Sequence, residues 1–404
     1  MAPLSSRGPR FSLLCFGFVV CGIVTVLPGP LLPLMAARWG LRDVQSGAFF
    51  AAEFAASMVG SIYSPRRLRQ NLPLGYAVMT GGVLLLIFAR TTEHAALGHA
   101  LALTSFGLIG LGTGLSVTAT NLVVGMMEEG AGAQRGASTR ARRISVVNLW
   151  WGMGAVACPW MVAAAVHGGH VQGLLLLMAV GTAAMFAALL PQIREPEPGL
   201  AVGERASARA EAGTLVFFAA FFFLYLGVET VVGGWIPTYA HRFSGMTLAD
   251  ASLTVSLYWM ALLAGRLAGS VALRSVTERA VLIPALGLAL IAVATLVAPH
   301  STTTVLVAVA AAGAGFGPVF PIGVSRMLSR VRDHRNTGWA FAMCSAGGAT
   351  LPWLTGLVST GSGSLRIGFA VPLAALAVIL ALAVGENAAL GGKSLEHRAQ
   401  SSGA

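Results

Sequence analysis

Long apolar segments alternate with short polar loops along the chain. An α-helix needs about 20 apolar residues to cross the roughly 30 Å hydrocarbon core of a membrane. Twelve segments are long enough, and each is predicted to be a spanning helix, because a helix satisfies its own backbone hydrogen bonds in lipid. They are residues 11–36, 45–63, 72–89, 98–126, 144–166, 171–191, 212–240, 251–271, 280–298, 302–325, 336–358 and 366–385. The pattern therefore predicts an all-α polytopic membrane protein.

The composition agrees with this prediction, and the positions of the charges predict an orientation. Of the 404 residues, 56% are apolar and 10% are charged, whereas about a quarter of a soluble domain is charged. The net charge of +11 could indicate nucleic-acid binding. However, 20 of the 26 Lys and Arg residues fall in cytoplasmic segments if both termini are cytoplasmic, as the positive-inside rule requires. We therefore expect a multi-pass inner-membrane protein with cytoplasmic N- and C-termini and no nucleic-acid partner.

A polar connector, residues 192–211, divides the spans into two sets of six, within residues 1–191 and 212–404. Four motifs of the first set recur in the same order in the second. They are Gly22–Gly29 and Gly227–Gly234, Gly60-Ser61 and Gly269-Ser270, Gly110-x-Gly112-x-Gly114 and Gly313-x-Gly315-x-Gly317, and Gly154 with Pro159-Trp160 and Gly347 with Pro352-Trp353. Two six-helix repeats are typical of secondary transporters, which bind solute between the halves near the middle of the membrane.

The repeat and its motifs resemble the major facilitator superfamily. Within that superfamily, the segment Tyr225–Tyr239 of the seventh span resembles the fucose-permease-like sugar transporters and their glucose-transporting relatives. Shorter motifs in the fourth, tenth and eleventh spans agree, namely Gly112-x-Gly114 with Thr118 and Asn121, Gly317-Pro318-x-Phe320-Pro321, and Gly347-Gly348 with Pro352 and Gly356. The resemblance implies the twelve-helix major facilitator fold and transport of a sugar, a hexose, by alternating access with proton coupling.

The sequence departs from these relatives at three places. The basic turn after the second span keeps Arg66, Arg67 and Arg69 but has Ser64 where the superfamily normally has Asp. Val117 stands where the sugar transporters often have an acid, and the first span has no Asp. We therefore expect the gate that these three arginines form to be weakened or built differently, and the coupling proton to bind elsewhere.

Two of the fifteen acidic residues, Glu53 and Glu229, lie well inside predicted spans. Because a charge at the middle of the bilayer is costly, such a residue faces a cavity, pairs with another group or is protonated. We expect Glu229 to bind substrate and take part in proton coupling, and Glu53 to take part in proton coupling. For each, the alternative is a structural pairing inside the bundle. Gly233-Gly234 and Pro237 predict a bend or break close to Glu229.

Arg266 lies near the cytoplasmic end of the eighth span. We expect its long side chain to snorkel to the membrane surface or to form part of a gate. Contact with an anionic substrate is the alternative.

Sugar sites combine planar polar groups with aromatic rings. Besides Glu229, the candidate substrate-binding residues inside the spans are Asn121, Asn148, Trp151, Tyr225, Trp235, Tyr239 and Trp259. The asparagines could instead bond neighbouring helices, and the aromatic rings could serve packing.

Other classes of function find less support. The sequence offers no convergent catalytic groups, no metal-ligand spacing and no nucleotide-binding loop, so we expect neither an enzyme nor a metal or cofactor. A drug or metabolite exporter of the same superfamily and a facilitative sugar uniporter remain as alternatives, and Na⁺ coupling stays open beside H⁺. One chain would contain a complete site, which predicts a monomer whose partners are a sugar, H⁺ and membrane lipid.

Overall fold

The computed structural model describes residues 11–126, 133–194, 208–298, 301–330 and 337–401, and these residues form helices joined by short turns. The helices are α1 Phe11–Thr25, α2 Pro28–Trp39, α3 Asp43–Tyr63, α4 Leu68–Thr91, α5 Ala95–Met126, α6 Ala133–His167, α7 Val171–Leu189, α8 Ala208–Ser244, α9 Leu248–Ala272, α10 Glu278–Val297, α11 Thr302–Phe316, α12 Val319–Arg330, α13 Thr337–Ser362, α14 Leu365–Gly368 and α15 Ala370–Ser401. Short 3-10 turns follow α3 and α7, at Ser64–Arg67 and Leu190–Arg194.

The twelve predicted spans are confirmed. Ten segments of the described chain are long and apolar enough to cross a membrane, and one of them, Asp43–Thr91, contains two helices, α3 and α4. The span that remains is the eleventh, α13, which is 26 residues long and contains many Gly, Ser and Thr residues. The first and tenth spans are each interrupted, between α1 and α2 and between α11 and α12.

Proline explains where these interruptions fall. Pro28 begins α2 and Pro318 precedes α12, and neither residue has an N–H to continue the helix before it. The seventh span is not broken, because α8 continues through Pro237, and a bend there stays a prediction. Its Gly233 and Gly234 serve packing instead, against Gly29 of α2 and Phe50 of α3.

The sequence repeat corresponds to a repeat of helix packing. The pairs α1–α6, α3–α5, α4–α5 and α4–α7 of the first six spans recur as α8–α13, α9–α11, α10–α11 and α10–α15. The repeated glycines lie in equivalent contacts. Gly22 and Gly154 bring α1 and α6 so close that a Cβ at either position would strike the facing backbone, and Gly227 and Gly347 do the same for α8 and α13.

The two halves meet through α3 with α13, α6 with α9, and α2 with α8 and α9. The N-terminus of α3 and the C-terminus of α8 lie together, and we call this the outer end because the sequence predicts that both face outward. The predicted connector, residues 192–211, lies mostly outside the described residues. Its boundaries stay a prediction.

Candidate functional site

Glu53 lies in the first half, on the face of α3 that packs against α5. The backbone of Gly110 in α5 lies directly against the backbone of Glu53. Glu53 is only 2% exposed. Neither of its carboxyl oxygens has a hydrogen-bond partner among the described residues. The Glu53 carboxyl group is thus buried without a hydrogen-bond donor against it in the described part of the chain.

Small polar side chains of α1 and α5 lie beside Glu53. The hydroxyl of Thr25, at the end of α1, is 3.2 Å from the hydroxyl of Thr113 in α5. Thr25 also donates to the carbonyl of Cys21 at 2.8 Å. The Cys21 thiol is close enough to interact with both hydroxyls, with Ser116 and with the Glu53 carboxyl. Within this group Thr25 is partly exposed, whereas Thr113 and Ser116 are buried.

Glu229 lies in α8 of the second half, and neighbouring groups hold it in place. Tyr225, one turn earlier, donates its hydroxyl hydrogen to the Glu229 carboxyl. The Tyr225 oxygen also lies 3.1 Å from the carbonyl oxygen of Phe316, and Tyr258 of α9 donates to the Glu229 carbonyl at 3.3 Å. The helical face predicted from the spacing of Tyr225 and Glu229 is therefore occupied by a hydrogen-bonded pair.

The Arg266 side chain lies toward this pair, whereas the sequence led us to expect that it snorkels to the membrane surface or forms part of a gate. Its Nε donates to the Gly317 carbonyl at 3.3 Å, and its guanidinium is close enough to interact with Tyr225 and Glu229. Four residues after Gly317 comes Pro321, which has no N–H for that carbonyl. The interruption of the tenth span thus supplies the acceptor that positions Arg266.

Asn121 of α5 and Asn148 of α6 are joined directly. Asn148 Nδ2 donates to Asn121 Oδ1 at 3.0 Å, and each amide also donates to a carbonyl one turn earlier in its own helix, that of Val117 or Ile144. Both residues are partly exposed. The amides connect two helices, as one interpretation expected, and they remain partly accessible, as the other requires.

Trp151 of α6 and Trp259 of α9 meet at the junction of the halves. Their rings pack edge to face with centroids 5.5 Å apart. Trp259 is 9% exposed, and its Nε1 is a buried donor without a hydrogen-bond partner in the described part of the chain. The same ring lies beside Gly233, one turn beyond Glu229. Along their helices, Trp151 follows Asn148 by three residues, and the Gly233 beside Trp259 follows Glu229 by four.

Trp235 and Tyr239, further along α8, are packed in this conformation. Both are completely buried. Trp235 Nε1 donates to the Pro352 carbonyl at 3.0 Å, and the Tyr239 hydroxyl donates to the Leu296 carbonyl at 2.7 Å. Their polar atoms are engaged by backbone, which favours packing over solute contact in this state.

The three arginines of the basic turn do not act alike. Arg66 lies over the ring of Tyr63, 4.3 Å from its centroid, and Arg67 donates to Gln70 at 3.2 Å. Arg69 is 7% exposed. Arg66 and Arg67 thus contact residues that are close to them in the chain.

Ser64, which stands where the superfamily that the sequence resembles normally has Asp, fastens this turn to α5. Its hydroxyl donates to the Leu115 carbonyl at 2.7 Å, and Asn71 Nδ2 donates to the Ser64 carbonyl at 3.0 Å. The Ser64 hydroxyl thus anchors the turn to α5, and a difference between this gate and that of the superfamily stays a prediction.

One ionic cluster was not found from the sequence. Arg242 of α8 forms two hydrogen bonds with Asp43 of α3, and Ser359 of α13 donates to the same carboxylate at 2.5 Å. In the sequence, Asp43 is an acid in the predicted outer loop before the second span, and Arg242 is a base in the predicted outer loop after the seventh. Nothing in the sequence indicated that the two loops meet.

Comparison with known proteins gives relatives along most of the chain. A family model described as Major Facilitator Superfamily matches residues 14–352. A glucose/galactose transporter of Brucella abortus biovar 1 (strain 9-941) is 24% identical over 388 residues, which cover 90% of this chain and 90% of the relative. Bypass of stop codon protein 6 of Saccharomyces cerevisiae is 22% identical, with 85% of this chain and 75% of that protein covered.

Solved structures share the fold. The E. coli fucose:proton symporter superposes with a TM-score of 0.61 and 18% identity, covering 92% of this chain and 97% of that one. A D-xylose-proton symporter superposes with a TM-score of 0.73 and 13% identity, covering 92% and 96%. The protein is thus a multi-pass membrane transporter and not an enzyme, as the repeat and its motifs predicted, and the chain belongs to the major facilitator superfamily.

Proposed function

We propose that the protein transports a sugar, a hexose, by alternating access and that transport is coupled to H⁺. The observation that carries the proposal is the Trp151–Trp259 contact, which joins the two halves and leaves the Trp259 N–H without a partner among the described residues. A sugar presents C–H faces that pack on aromatic rings and hydroxyls that accept from such a donor. An apolar solute would leave this buried donor unsatisfied.

Polar groups flank the tryptophan pair on both sides. Asn121 and Asn148 lie on the first-half side, and Tyr225 and Glu229 on the second-half side. A carboxylate can accept hydrogen bonds from sugar hydroxyls, and an amide can both accept hydrogen bonds from them and donate hydrogen bonds to them. Similarity to a glucose/galactose transporter and to two sugar–proton symporters supports the same class of substrate.

Trp235 and Tyr239 remain predicted substrate-binding residues in another conformation. Trp235 contacts Phe50 of α3, with ring centroids 6.4 Å apart, so separation of the halves at the outer end would uncover it. Tyr239 packs on Phe243 and Phe369 within the second half. Its exposure would require movement within that half.

In the proposed mechanism, residues 1–191 and residues 212–404 rock against each other about the substrate, with residues 192–211 as the connector. Arg66, Arg67, Arg69 and Arg266 lie toward the inner end, where the gate opposite the closed outer end would form. Either Glu229 or Glu53 binds the coupling proton.

The protein would work as a monomer in the inner membrane, surrounded by lipid, with both termini in the cytoplasm. One chain supplies residues to the site from both halves, so no second copy is required to complete it.

The test is uptake of labelled glucose, galactose and a panel of other sugars into proteoliposomes, with and without an inward proton gradient. A gradient equivalent to 100 mV is worth about 2.3 kcal/mol per proton, or roughly fifty-fold accumulation. We expect saturable uptake and gradient-driven accumulation of a hexose. Saturable uptake that ignores the gradient would make the protein a uniporter. Folded protein that moves no sugar would contradict the proposal and favour an exporter of apolar compounds.

A further inference from the structure

The two buried carboxyl groups have different surroundings. Glu229 accepts a hydrogen bond from Tyr225 and lies within the influence of the Arg266 guanidinium. Glu53 is more deeply buried, at 2% exposure against 8%, and neither oxygen has a hydrogen-bond partner among the described residues. One carboxyl is therefore compensated by fixed groups, and the other is not.

The helices around Glu53 bring few charges to it. Across the described side chains, the helices packed on α3, which are α2, α5 and α13, carry only Arg38, His99 and Cys344 as titratable or charged groups. Arg38 is exposed at the end of α2, and His99 bonds the backbone of Gln45 at the outer end.

The remaining charges lie at or beyond the two ends of α3, Arg42 and Asp43 at its start and Arg66, Arg67 and Arg69 after its end. Asp43 is paired with Arg242 at the outer end. Arg66 and Arg67 of the following turn bond Tyr63 and Gln70. The titratable group beside Glu53 is the Cys21 thiol of α1, which is a neutral neighbour rather than a cation.

An ionised carboxylate in this position would be a buried charge without a counter-charge, which costs several kcal/mol. A neutral carboxylic acid avoids most of that cost. At Glu53 a bound proton is therefore needed to neutralise the carboxylate, because no protein cation is there to do so. At Glu229 the Tyr225 hydroxyl and the Arg266 guanidinium already compensate the negative charge.

We infer that Glu53 is the group that carries the coupling proton and that the Thr25–Thr113 hydroxyl pair connects it to the space between the halves. The inference rests on the proposed function. In the loading step a hydronium ion on one side gives up a proton to the Glu53 carboxylate, so one O–H bond of hydronium breaks, one O–H bond forms at a Glu53 oxygen, and water is left. In the release step the Glu53 O–H bond breaks and the proton returns to water on the other side. Glu229, held by Tyr225 and Arg266, remains a fixed acceptor for substrate hydroxyls.

The hydroxyl pair has the geometry that this path needs. Thr25 is the partly exposed member, and it reaches Thr113 at 3.2 Å at the point where the first span is interrupted. Thr113 lies one turn from Gly110, whose backbone touches that of Glu53. The path therefore runs from the partly exposed Thr25 hydroxyl, through Thr113, toward the enclosed carboxyl.

The first experiment does not depend on sugar. Infrared difference spectra of the purified full-length protein at neutral pH, in H₂O and D₂O, detect the C=O stretch of protonated carboxyl groups. We expect a band that shifts in D₂O, disappears in Glu53→Gln and persists in Glu229→Gln. A band that persists in Glu53→Gln, or the absence of any such band from folded wild type, would overturn the inference.

Transport then separates the inference from the proposed function. We expect Glu53→Gln to retain sugar counterflow, which needs no net proton movement, and to lose gradient-driven accumulation, so that sugar reaches equal concentrations on both sides. Glu229→Gln should instead weaken counterflow. Wild type without sugar counterflow would defeat the proposed function, while the infrared result would still decide the inference. Accumulation by Glu53→Gln at the wild-type level, or accumulation driven by Na⁺ alone, would overturn the inference.

The hydroxyl path has a matched control in the same half. Thr80 and Thr182 form another interhelical hydroxyl pair, 2.9 Å apart between α4 and α7. We expect Thr113→Val to slow proton-driven uptake severalfold while leaving counterflow near wild type, and Thr182→Val to change neither. Equal effects of the two variants would contradict a path through Thr113.

Discussion

Arg242 donates hydrogen bonds from both terminal nitrogens to the two carboxylate oxygens of Asp43, with N···O distances of 2.8 Å and 2.6 Å. These bonds join α8 of the second half to α3 of the first. Ser359 of α13 bonds the same carboxylate, and the Val44 N–H donates to the Thr360 hydroxyl at 2.9 Å. Three helices from both halves thus converge on one acid. This cluster therefore joins the two halves at the outer end.

Asp43→Asn should release the outer end. The amide cannot pair with Arg242 as a carboxylate does, and hydrogen bonds to charged groups are worth about 1.5–3 kcal/mol. Because Arg242 is 36% exposed, solvent screening reduces the effect, and we expect about 1.4 kcal/mol, a roughly ten-fold shift toward the outward-open state. Labelling of Ser252→Cys by an impermeant maleimide, in a background without native cysteines, measures the shift from outside.

Asp250→Asn is the matched control for this experiment. Asp250 lies in the first turn of α9 at the same end, but among the described residues its carboxylate bonds only Thr247, the cap of its own helix. Its replacement should leave the labelling rate of Ser252→Cys unchanged. Equal labelling rates in wild type and Asp43→Asn would show that the ion pair does not hold the outer end closed.

Arg266→Gln should destabilise the protein, because it leaves the Glu229 carboxylate buried without its cation. Removing one partner of a buried pair costs about 3–5 kcal/mol, whereas replacing both is often near neutral. We therefore expect a lower melting temperature for Arg266→Gln and partial recovery in the double variant Arg266→Gln/Glu229→Gln. Strictly additive losses in detergent melting curves would mean that the two groups are not coupled.

Trp259→Phe should weaken sugar binding more than stability. It keeps an aromatic ring but removes the unpartnered Nε1 donor, so we expect the half-saturating sugar concentration to rise roughly ten-fold, as for the loss of one hydrogen bond worth about 1.5 kcal/mol. Trp235→Phe is the comparison, because its N–H bonds the Pro352 carbonyl. It should lower the melting temperature and change the half-saturating concentration less than Trp259→Phe does. The reverse pattern would place the sugar against Trp235.

Gly110→Ala should destabilise the contact between α3 and α5. A Cβ at Gly110 would lie 1.9 Å from the Glu53 carbonyl oxygen, whereas one at Gly107 of the same helix would meet nothing within 4 Å. Overpacking of this kind costs about 1–3 kcal/mol, while Gly→Ala at an open helical site gains up to about 1 kcal/mol. Melting curves in detergent should separate the two variants. A stable Gly110→Ala protein would show that α3 can shift away from α5.

The sequence by itself determined the spanning helices, the repeat and the membership of a transporter superfamily. A span of about 20 apolar residues is readable because lipid permits only helices there. The paired motifs around Gly22 and Gly227 are readable because close backbone approach excludes every larger side chain at those positions. Tyr225 and Glu229 could be paired in advance because helical geometry places residues four apart on one face.

Only the tertiary structure decided which polar groups have partners. The meeting of Asp43 with Arg242, 199 residues apart, depends on how two halves dock, and no local pattern encodes that docking. The continuity of α8 through Pro237 and the turn of Arg266 toward Glu229 were decided by neighbouring helices, which supply the packing surface and the free Gly317 carbonyl. Glu53 and Glu229 look alike in sequence as single acids within apolar spans. They differ in the fold, because hydrogen bonding and charge compensation depend on which helices surround each carboxyl.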